Sequence, residues 1–209
     1  MLSSCSTADD SSSLYLVMRL CRHAEARAAH VAAQYGVAAH LKVDGMITPN
    51  FDALPAALQS VHTRPLFVMR LDVKPIVALG DTPGLHRRIG IVPSGEFVGE
   101  RLSGKVLDGG SDWQALRSDG STTLDVRLTL QTDDGTPILM SYRGVRHGDA
   151  EIMRRLGQGE EVDPASYYFR ISPLFEAPNG HYEWLNRVVA IGTGHRFASG
   201  PVYSVFEVL

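Results

Sequence analysis

From residue 65 to the end, the chain repeats one pattern: short runs of aliphatic, β-branched and aromatic residues, separated by residues that favour turns. In Leu124 to Leu130 the alternation is strict, with Leu and Val on one face and Asp125 and Arg127 on the other. The runs predict eight strands: Leu66 to Val73, Arg87 to Val92, Glu96 to Leu107, Ser121 to Gln131, Pro137 to Arg143, Tyr167 to Ser172, Tyr182 to Thr193 and Val202 to Val208.

The turns between these runs predict how the strands connect. Ser118-Asp119-Gly120 and Asp133-Asp134-Gly135 are hairpin signals, because glycine accepts the positive φ that such turns require. Short turns join antiparallel neighbours, and a long sheet avoids exposed edges by closing on itself. We therefore expect an all-β fold, a closed antiparallel barrel of about eight to nine strands, with one short helical insert at Asp149 to Leu156.

The first 64 residues have a different texture. A Ser- and Asp-rich start is followed by an Ala-, Arg- and His-rich segment, Cys21 to Tyr35, which predicts one helix ending before Gly36. We expect residues 1–64 to form a partly disordered extension with this helix, and residues 65–209 to form the barrel domain.

Composition narrows the classes of partner. The 209 residues carry a formal net charge of -3, which does not favour binding to nucleic acid. No apolar run approaches the roughly 18 residues needed to cross a bilayer. The eight histidines show no ligand spacing for a metal, and no glycine motif opens a helix after a strand as a nucleotide site requires. We expect a cytoplasmic protein that uses neither metal nor cofactor, and the sequence leaves monomer and homo-oligomer both open.

A series of ordered motifs resembles a known but uncharacterised family. The matching segments are Gly95 to Gly99, Gly109 to Gln114, Arg117 to Gly120, Leu124 to Arg127, Thr132 to Gly135, Arg143-Gly144, His147-Gly148, Tyr167 to Arg170, Trp184 to Asn186 and Val205 to Val208. Over residues 65–209 the chain is similar to the bacterial and fungal family called domain of unknown function 3237, an uncharacterised protein family with a calycin-like β-barrel. The resemblance implies a closed barrel around a small cavity and suggests an aromatic (phenolic) or polyketide-like ligand, but it assigns no catalytic residue.

Acid, base and cationic side chains supply candidate catalytic residues. Asp125 and Arg127 share one strand face, and with Arg143 they are candidates to bind an anion or stabilise an enolate. Asp112, Tyr142 and Tyr168 are candidates to take or supply a proton. The alternative for the charged group is a static network of ion pairs that serves only the structure.

Aromatic and polar residues supply candidate ligand contacts. Asp112-Trp113-Gln114 follows two glycines, which favours a loop at the barrel mouth that aims these side chains at a ligand. Alternatively, Asp112 caps a turn and Trp113 plugs the barrel end. The complete set of predicted ligand-binding residues is Trp113, Arg143, Tyr168, Arg170, Trp184 and Asn186.

Three functions fit this sequence. The first is a binding protein that holds an aromatic or polyketide-like small molecule in its lumen. The second is a cofactor-independent isomerase, cyclase or lyase that uses Asp, Arg and Tyr groups in the same cavity. The third is a protein-interaction module whose barrel is filled by its own side chains.

Overall fold

The computed structural model describes residues 50–209. The predicted helix at Cys21 to Tyr35 lies outside the described residues. The chain divides into two units between Ser60 and Val61. In the described part of the first unit, the chain forms two short 3-10 turns at Phe51–Ala53 and Ala56–Leu58. A domain boundary at residue 64 stays a prediction.

The second unit is built almost entirely of strands. One helix, α1 (Ala150–Gly157), stands where a helical insert is predicted. The strands are β1 (Thr63–Asp72), β2 (Val77–Thr82), β3 (Leu85–Val92), β4 (Ser94–Val98), β5 (Gly104–Val106), β6 (Gly110–Leu116), β7 (Thr122–Thr132), β8 (Pro137–Gly148), β9 (Tyr167–Glu176), β10 (Ala190–Arg196) and β11 (Pro201–Val208).

Eight of these strands close into an antiparallel ring. Its order is β7-β5-β4-β1-β11-β10-β9-β8, and pairing of β8 with β7 closes it. The remaining strands form a side branch, because one edge of β7 pairs with β6 near its start and with β5 near its end. The branch runs β6-β3-β2. The predicted closed β-barrel is therefore confirmed, with three strands added to the ring.

The branch ends in β2, which is the edge strand of the sheet. Within the described residues it pairs with β3 alone, and a register shift between Ala78 and Gly80 leaves Leu79 as a bulge. Leu79 and Val77 are about half exposed. A bulge at an edge bends the strand and interrupts the even spacing of its free backbone groups.

The lumen is filled mainly by the barrel's own side chains. On β7 the Leu and Val face is buried, and the inward positions of the other strands continue it. Phe67 packs against Phe97 and Phe175, with ring centroids 5.5 and 6.0 Å apart. Burying such apolar area is the dominant favourable contribution to folding. The polar side chains that point into the barrel, such as Asp112 and Arg146, therefore lie against a packed apolar core.

Both predicted hairpin turns are found. Gly120 and Gly135 adopt φ of 81° and 90°. Each is the glycine of its Asp-Gly turn, between β6 and β7 and between β7 and β8. The sequence pattern therefore predicted the turns at both ends of β7 correctly.

Two predicted strands are interrupted. The stretch Glu96 to Leu107 is divided into β4 and β5 by a tight turn, in which Ser103 hydrogen-bonds both backbone groups of Gly99. Residues 182–193 do not form one strand, because the chain makes a 3-10 turn at Glu183–Arg187 before β10 begins. The side chain of Asn186 binds both the N–H and the C=O of Ala177, which satisfies that turn locally and not through a ladder.

The predicted loop at Asp112-Trp113-Gln114 is wrong. These residues lie in the middle of β6, where Trp113 pairs with Ile89 and Asp112 with Val126. The bend is at Gly109, which has a φ of 103°, and Gly110 is already the first residue of the strand. Because neighbouring side chains on a strand point to opposite faces, Asp112 and Gln114 point inward and Trp113 points outward. Trp113 is 51% exposed and does not plug the barrel.

None of the helices within residues 50–209 is both long and apolar enough to cross a membrane.

Candidate functional site

One end of the barrel interior is polar. Side chains from β6, β8, β10 and β11 meet there around a cavity of about 20 Å³. We call this site the polar pocket. Its polar members are Asp112, Gln114, Tyr142, Arg146, Arg196 and Tyr203.

Asp112 has one side-chain hydrogen bond. Gln114 Nε2 donates to its Oδ2 at 2.6 Å, and Arg88 Nε donates to Gln114 Oε1 at 2.7 Å. Asp112 Oδ1 is buried and accepts no hydrogen bond of normal geometry. Burial raises the pKa of Asp112 to about 6, although the Gln114 hydrogen bond, the charge of Arg146 and the backbone N–H of Asp125 act in the opposite direction. This carboxyl is therefore ready to gain or lose a proton near neutral pH.

Arg146 brings a buried cation to the same cavity. Its side chain comes from β8, and the residue is only 8% exposed. Nε of Arg146 is buried without a hydrogen-bond partner, while the guanidinium lies 5.4 Å from the centroid of the Phe169 ring. Burial, followed by repulsion from Arg88 and Arg196, lowers the pKa of Arg146 to about 10. The group stays protonated at neutral pH and presents an unused N–H donor.

Two tyrosines form the inner wall. The Tyr142 hydroxyl donates to the Tyr203 hydroxyl at 3.3 Å, and their rings pack edge to face at 5.6 Å. Burial is the main reason that the pKa values of both hydroxyls lie above the usual value for tyrosine. Both tyrosines are therefore neutral at physiological pH and act as hydrogen-bonding groups, not as bases.

The cavity admits little more than one atom. About 20 Å³ exceeds the roughly 10–15 Å³ that one water molecule needs, but is far below the roughly 150 Å³ of a cavity that holds benzene. Within the polar pocket, Asp112 Oδ1 accepts and Arg146 Nε donates, so the pair suits one oxygen atom of a ligand. Arg88 and Arg196 are only partly buried, and they extend the positive charge from the cavity toward solvent.

A second, larger depression lies on the outward face of the sheet. This outer groove has a volume of about 1050 Å³. It is lined by outward side chains of β3 and β6 to β11, together with Thr63 of β1. Its aromatic and charged members are Arg87, Trp113, Arg117, Asp125, Arg143, Tyr168, Arg170 and Phe206.

Two glycines mark the floor of the outer groove. Gly144 on β8 and Gly192 on β10 both pair with Ile171 on β9. A Cβ at Gly144 or Gly192 would lie 2.9 or 2.8 Å from side-chain atoms of Ile171. Ile171 therefore occupies the space that two inward side chains would need, and the sheet lies close to the core along this row.

The structure distributes the predicted site residues over three places. Asp112 and Tyr142 lie in the polar pocket. Five others line the outer groove: Trp113, Asp125, Arg143, Tyr168 and Arg170. Arg143 Nη2 lies 3.1 Å from Asp125 Oδ2, and the two side chains are 83% and 47% exposed. This pair is therefore a surface ion pair and does not line the lumen.

The remaining three predicted residues line neither site. Arg127 is exposed on the outward face of β7. Trp184 lies beneath Arg101, whose guanidinium carbon is 3.9 Å from the Trp184 ring centroid. Arg101 also binds Glu207, so this stack belongs to a structural cluster of charges. Asn186 is occupied by the backbone of Ala177.

The sequence did not identify Arg146, the buried arginine of the polar pocket. Tyr142 was singled out, but Arg146 lies four residues later on the same inward face, after Gly144. The alternation from Ile138 through Met140 to Tyr142 predicts an inward Arg146 if the strand continues. The predicted strand ended at Arg143, whereas β8 runs to Gly148.

No group of three or more His, Cys, Asp or Glu side chains in residues 50–209 is arranged to hold a metal ion.

Comparison with known families identifies the barrel unit. The model of a family described as "Protein of unknown function (DUF3237)" matches residues 61–208. The chain belongs to the DUF3237 family. The match spans all eleven strands of this DUF3237 barrel and begins just after the boundary between the two units.

Relatives share the barrel and lack an assigned activity. An uncharacterised UPF0311 protein of Rhodopseudomonas palustris is 33% identical over 150 residues, which are 72% of this chain and 98% of that protein. A crystal structure described as a beta-barrel like protein of Acinetobacter baumannii is 37% identical, with a TM-score of 0.63 over 72% of this chain and 97% of that one.

A more distant structure shows the same fold. It is described as an enzyme from Penicillium herquei and is 19% identical, with a TM-score of 0.54 over 71% of this chain and 95% of that one. At this identity the likeness establishes the DUF3237 fold and nothing about the reaction.

Proposed function

We propose that the barrel binds a small organic molecule by inserting one of its oxygen atoms into the polar pocket. The observation that carries this proposal is that Asp112 and Arg146 line one cavity and that each has a buried atom, Oδ1 and Nε, without a hydrogen bond of normal geometry. Buried polar atoms without partners are rare in native proteins, and shifted pKa values such as that of Asp112 cluster at functional sites. A ligand hydroxyl or enol oxygen satisfies both atoms at once.

The size of the polar pocket limits how the ligand sits. Only one oxygen atom fits inside the cavity of about 20 Å³, so the body of the ligand lies toward the partly buried side chains of Arg88 and Arg196. The three arginines Arg88, Arg146 and Arg196 outnumber the single carboxylate Asp112 among the charges of this site. This excess of positive charge favours an acidic oxygen, as in phenols, enols and polyketide-like 1,3-dicarbonyl compounds.

A second candidate is catalysis of proton transfer, and the raised pKa of Asp112 favours it. A base with a pKa of about 6 is partly ionised near neutral pH and is well matched to accept and return a proton. In such a step an enol ligand inserts its hydroxyl oxygen into the polar pocket, and Asp112 Oδ1 accepts the O–H proton. Arg146 Nε–H hydrogen-bonds the enolate oxygen that forms. Solvent water outside the cavity protonates the enolate carbon to give the keto isomer, and Asp112 returns its proton to the resulting hydroxide. Loss of a leaving group from the enolate, in place of protonation at carbon, gives a lyase.

The third function, an interaction module with a filled barrel, is supported by the packed apolar core. It gives no role to the unpartnered atoms of Asp112 and Arg146, and we rank it below the other two for that reason.

A thermal-shift screen separates ligand binding from the filled barrel. The probes are phenolic acids, hydroxynaphthoquinones, flavonoids and polyketide-like lactones, each tested with wild-type protein and Asp112→Asn. A ligand of the folded state at 100 times its Kd stabilises the protein by about 2.7 kcal/mol, a shift of several degrees. We expect a shift that Asp112→Asn reduces and that Asp133→Asn, at an exposed turn, leaves unchanged. No shift with any probe contradicts the binding proposal.

Hydrogen exchange tests the enzymatic candidate. With 2-tetralone in D₂O, NMR follows deuterium incorporation next to the carbonyl. A positioned general base contributes about 10²–10⁴ in rate, and Asp112→Asn should remove that acceleration. If a compound binds at the polar pocket and no exchange or turnover is detected, the protein is a binding protein and not an isomerase.

A further inference from the structure

The outer groove lies on the other side of the sheet from the polar pocket. Trp113 follows Asp112 directly on β6, and the two side chains point to opposite faces. The groove volume of about 1050 Å³ is at the upper end of the range for small-molecule sites, about 300–1,000 Å³. The two depressions are therefore separate sites, and a ligand of one leaves the other accessible.

The outer groove has an excess of positive charge. Asp125 is its one acidic residue within the described part of the chain, and it is already paired with Arg143. Arg87, Arg117 and Arg170 have no carboxylate within 4.0 Å in residues 50–209. A guanidinium binds a carboxylate through two parallel hydrogen bonds, so an anionic ligand complements this surface.

The outer groove also offers exposed aromatic faces. Trp113 and Tyr168 are 51% and 44% exposed, which is unusual for such large rings. Each is oriented by its neighbours: Trp113 Nε1 donates to Ser111 Oγ at 3.0 Å, and the Arg170 guanidinium carbon lies 4.9 Å from the Tyr168 ring centroid. His147 stacks against Tyr168 at 4.9 Å. Tyr168 is therefore already covered by His147 and Arg170, whereas the exposed Trp113 ring is the one that accepts a planar partner by stacking.

We propose that the outer groove is a second binding site, which takes a planar aromatic carboxylate whose ring stacks on Trp113 and whose carboxylate binds Arg170 or Arg87. This site is independent of the function proposed for Asp112. The arginines of the groove favour this ligand over a neutral aromatic compound. The aromatic side chains favour it over a simple anion that has no ring.

Fluorescence of Trp113 reports directly on this site. The chain has two tryptophans, so Trp184→Phe leaves Trp113 as the sole tryptophan of the chain. The probe is 4-nitrocinnamate, a planar aromatic carboxylate that quenches indole fluorescence, and its neutral match is 4-nitrocinnamamide. We expect saturable quenching by the acid, with at least about tenfold weaker binding of the amide, because hydrogen bonds to charged groups are worth about 1.5–3 kcal/mol.

Substitutions in the same Trp184→Phe background locate the carboxylate. We expect Arg170→Gln or Arg87→Gln to weaken binding of the acid about tenfold and to remove its advantage over the amide. Arg187→Gln is the control, since it deletes the same charge at an exposed position outside the groove. Asp112→Asn should leave the quenching unchanged, which keeps this test separate from the polar pocket.

Two results would overturn the proposal. One is equal affinity for the acid and the amide, which would reduce the groove to a non-specific apolar surface. The other is binding of the acid that Arg170→Gln and Arg87→Gln leave intact while Asp112→Asn weakens it, which would assign the carboxylate to the polar pocket.

Discussion

Two aspartates on paired strands, Asp112 on β6 and Asp125 on β7, have opposite surroundings. Asp125 has a cation at 3.1 Å and lies in solvent, whereas Asp112 has no ion-pair partner within 4.0 Å in the described chain and has one buried oxygen. Burial, and not the distance to the nearest arginine, gives Asp112 its pKa of about 6. In this barrel the side of the sheet decides whether a carboxyl is buried without an ion-pair partner or paired at the surface.

The largest expected contrast between the two faces concerns a matched pair of tyrosines. Tyr203 is 1% exposed and packs edge to face against Tyr142 and Phe169, whereas Tyr168 is 44% exposed. Tyr203→Ala should lower the free energy of unfolding by about 3–5 kcal/mol, because it leaves a cavity and an unpaired hydroxyl. Tyr168→Ala should cost less than about 1 kcal/mol. Urea unfolding measures both, and similar losses would contradict the assignment of inner and outer faces.

The next contrast is in the pH dependence of stability. The pKa of Asp112 in the folded protein, about 6, lies above the ordinary 3.8, so the folded state binds the proton more tightly than the unfolded state. Its contribution is therefore fully present below pH 3.8 and is lost as pH rises through 6, a change of about 3 kcal/mol. Asp112→Asn should remove this fall and unfold at a higher temperature than wild type at pH 7.

Differential scanning calorimetry from pH 4 to 7 tests this prediction. Asp133→Asn, at an exposed turn, should keep the wild-type profile. If Asp112→Asn and wild type lose stability in parallel between pH 4 and 6, Asp112 is not the titrating group.

The smallest expected effect is at the outer ion pair. Because Asp125 and Arg143 are 47% and 83% exposed, solvent screens their attraction. Asp125→Asn should change the free energy of unfolding by less than about 1 kcal/mol. A double-mutant cycle with Arg143→Gln measures the coupling directly. A coupling energy of several kcal/mol would mean that the pair is shielded from water. The outer face would then be less exposed to solvent than the structure indicates.

The sequence predicted the ring well, because its determinants are local. Alternation in β7 and the glycines at 120 and 135 specify one strand and the turns at its two ends, and these are the parts found as expected. Strand ends were less predictable, since they depend on partners far away in the chain. β8 continues past Arg143 because residues of β7 and β9 pair with it as far as Arg146 and Gly148.

The residues of the candidate site were hard to predict for the same reason. Arg146 and Arg196 both lie beyond the predicted ends of their strands, so their inward direction could not be read from the alternation. Asp112 was selected for its neighbourhood to Gly-Gly, but the strand that carries it was not predicted. By sequence the charged face of β7 favoured solvent but left the lumen open, and only closure of the ring assigns Asp125 to the outside.

The bulge in β2 affects how protein molecules associate with one another at high concentration. Closure of the ring leaves β2 as the strand with a free edge in the described chain, and its exposed Val77 and Leu79 are residues that favour growth of intermolecular sheets. Leu79 displaces the backbone between Ala78 and Gly80, so an incoming strand cannot match its hydrogen bonds along the whole edge. We therefore expect one extra residue in a six-residue strand to hinder fibrous aggregation of the concentrated protein at this edge.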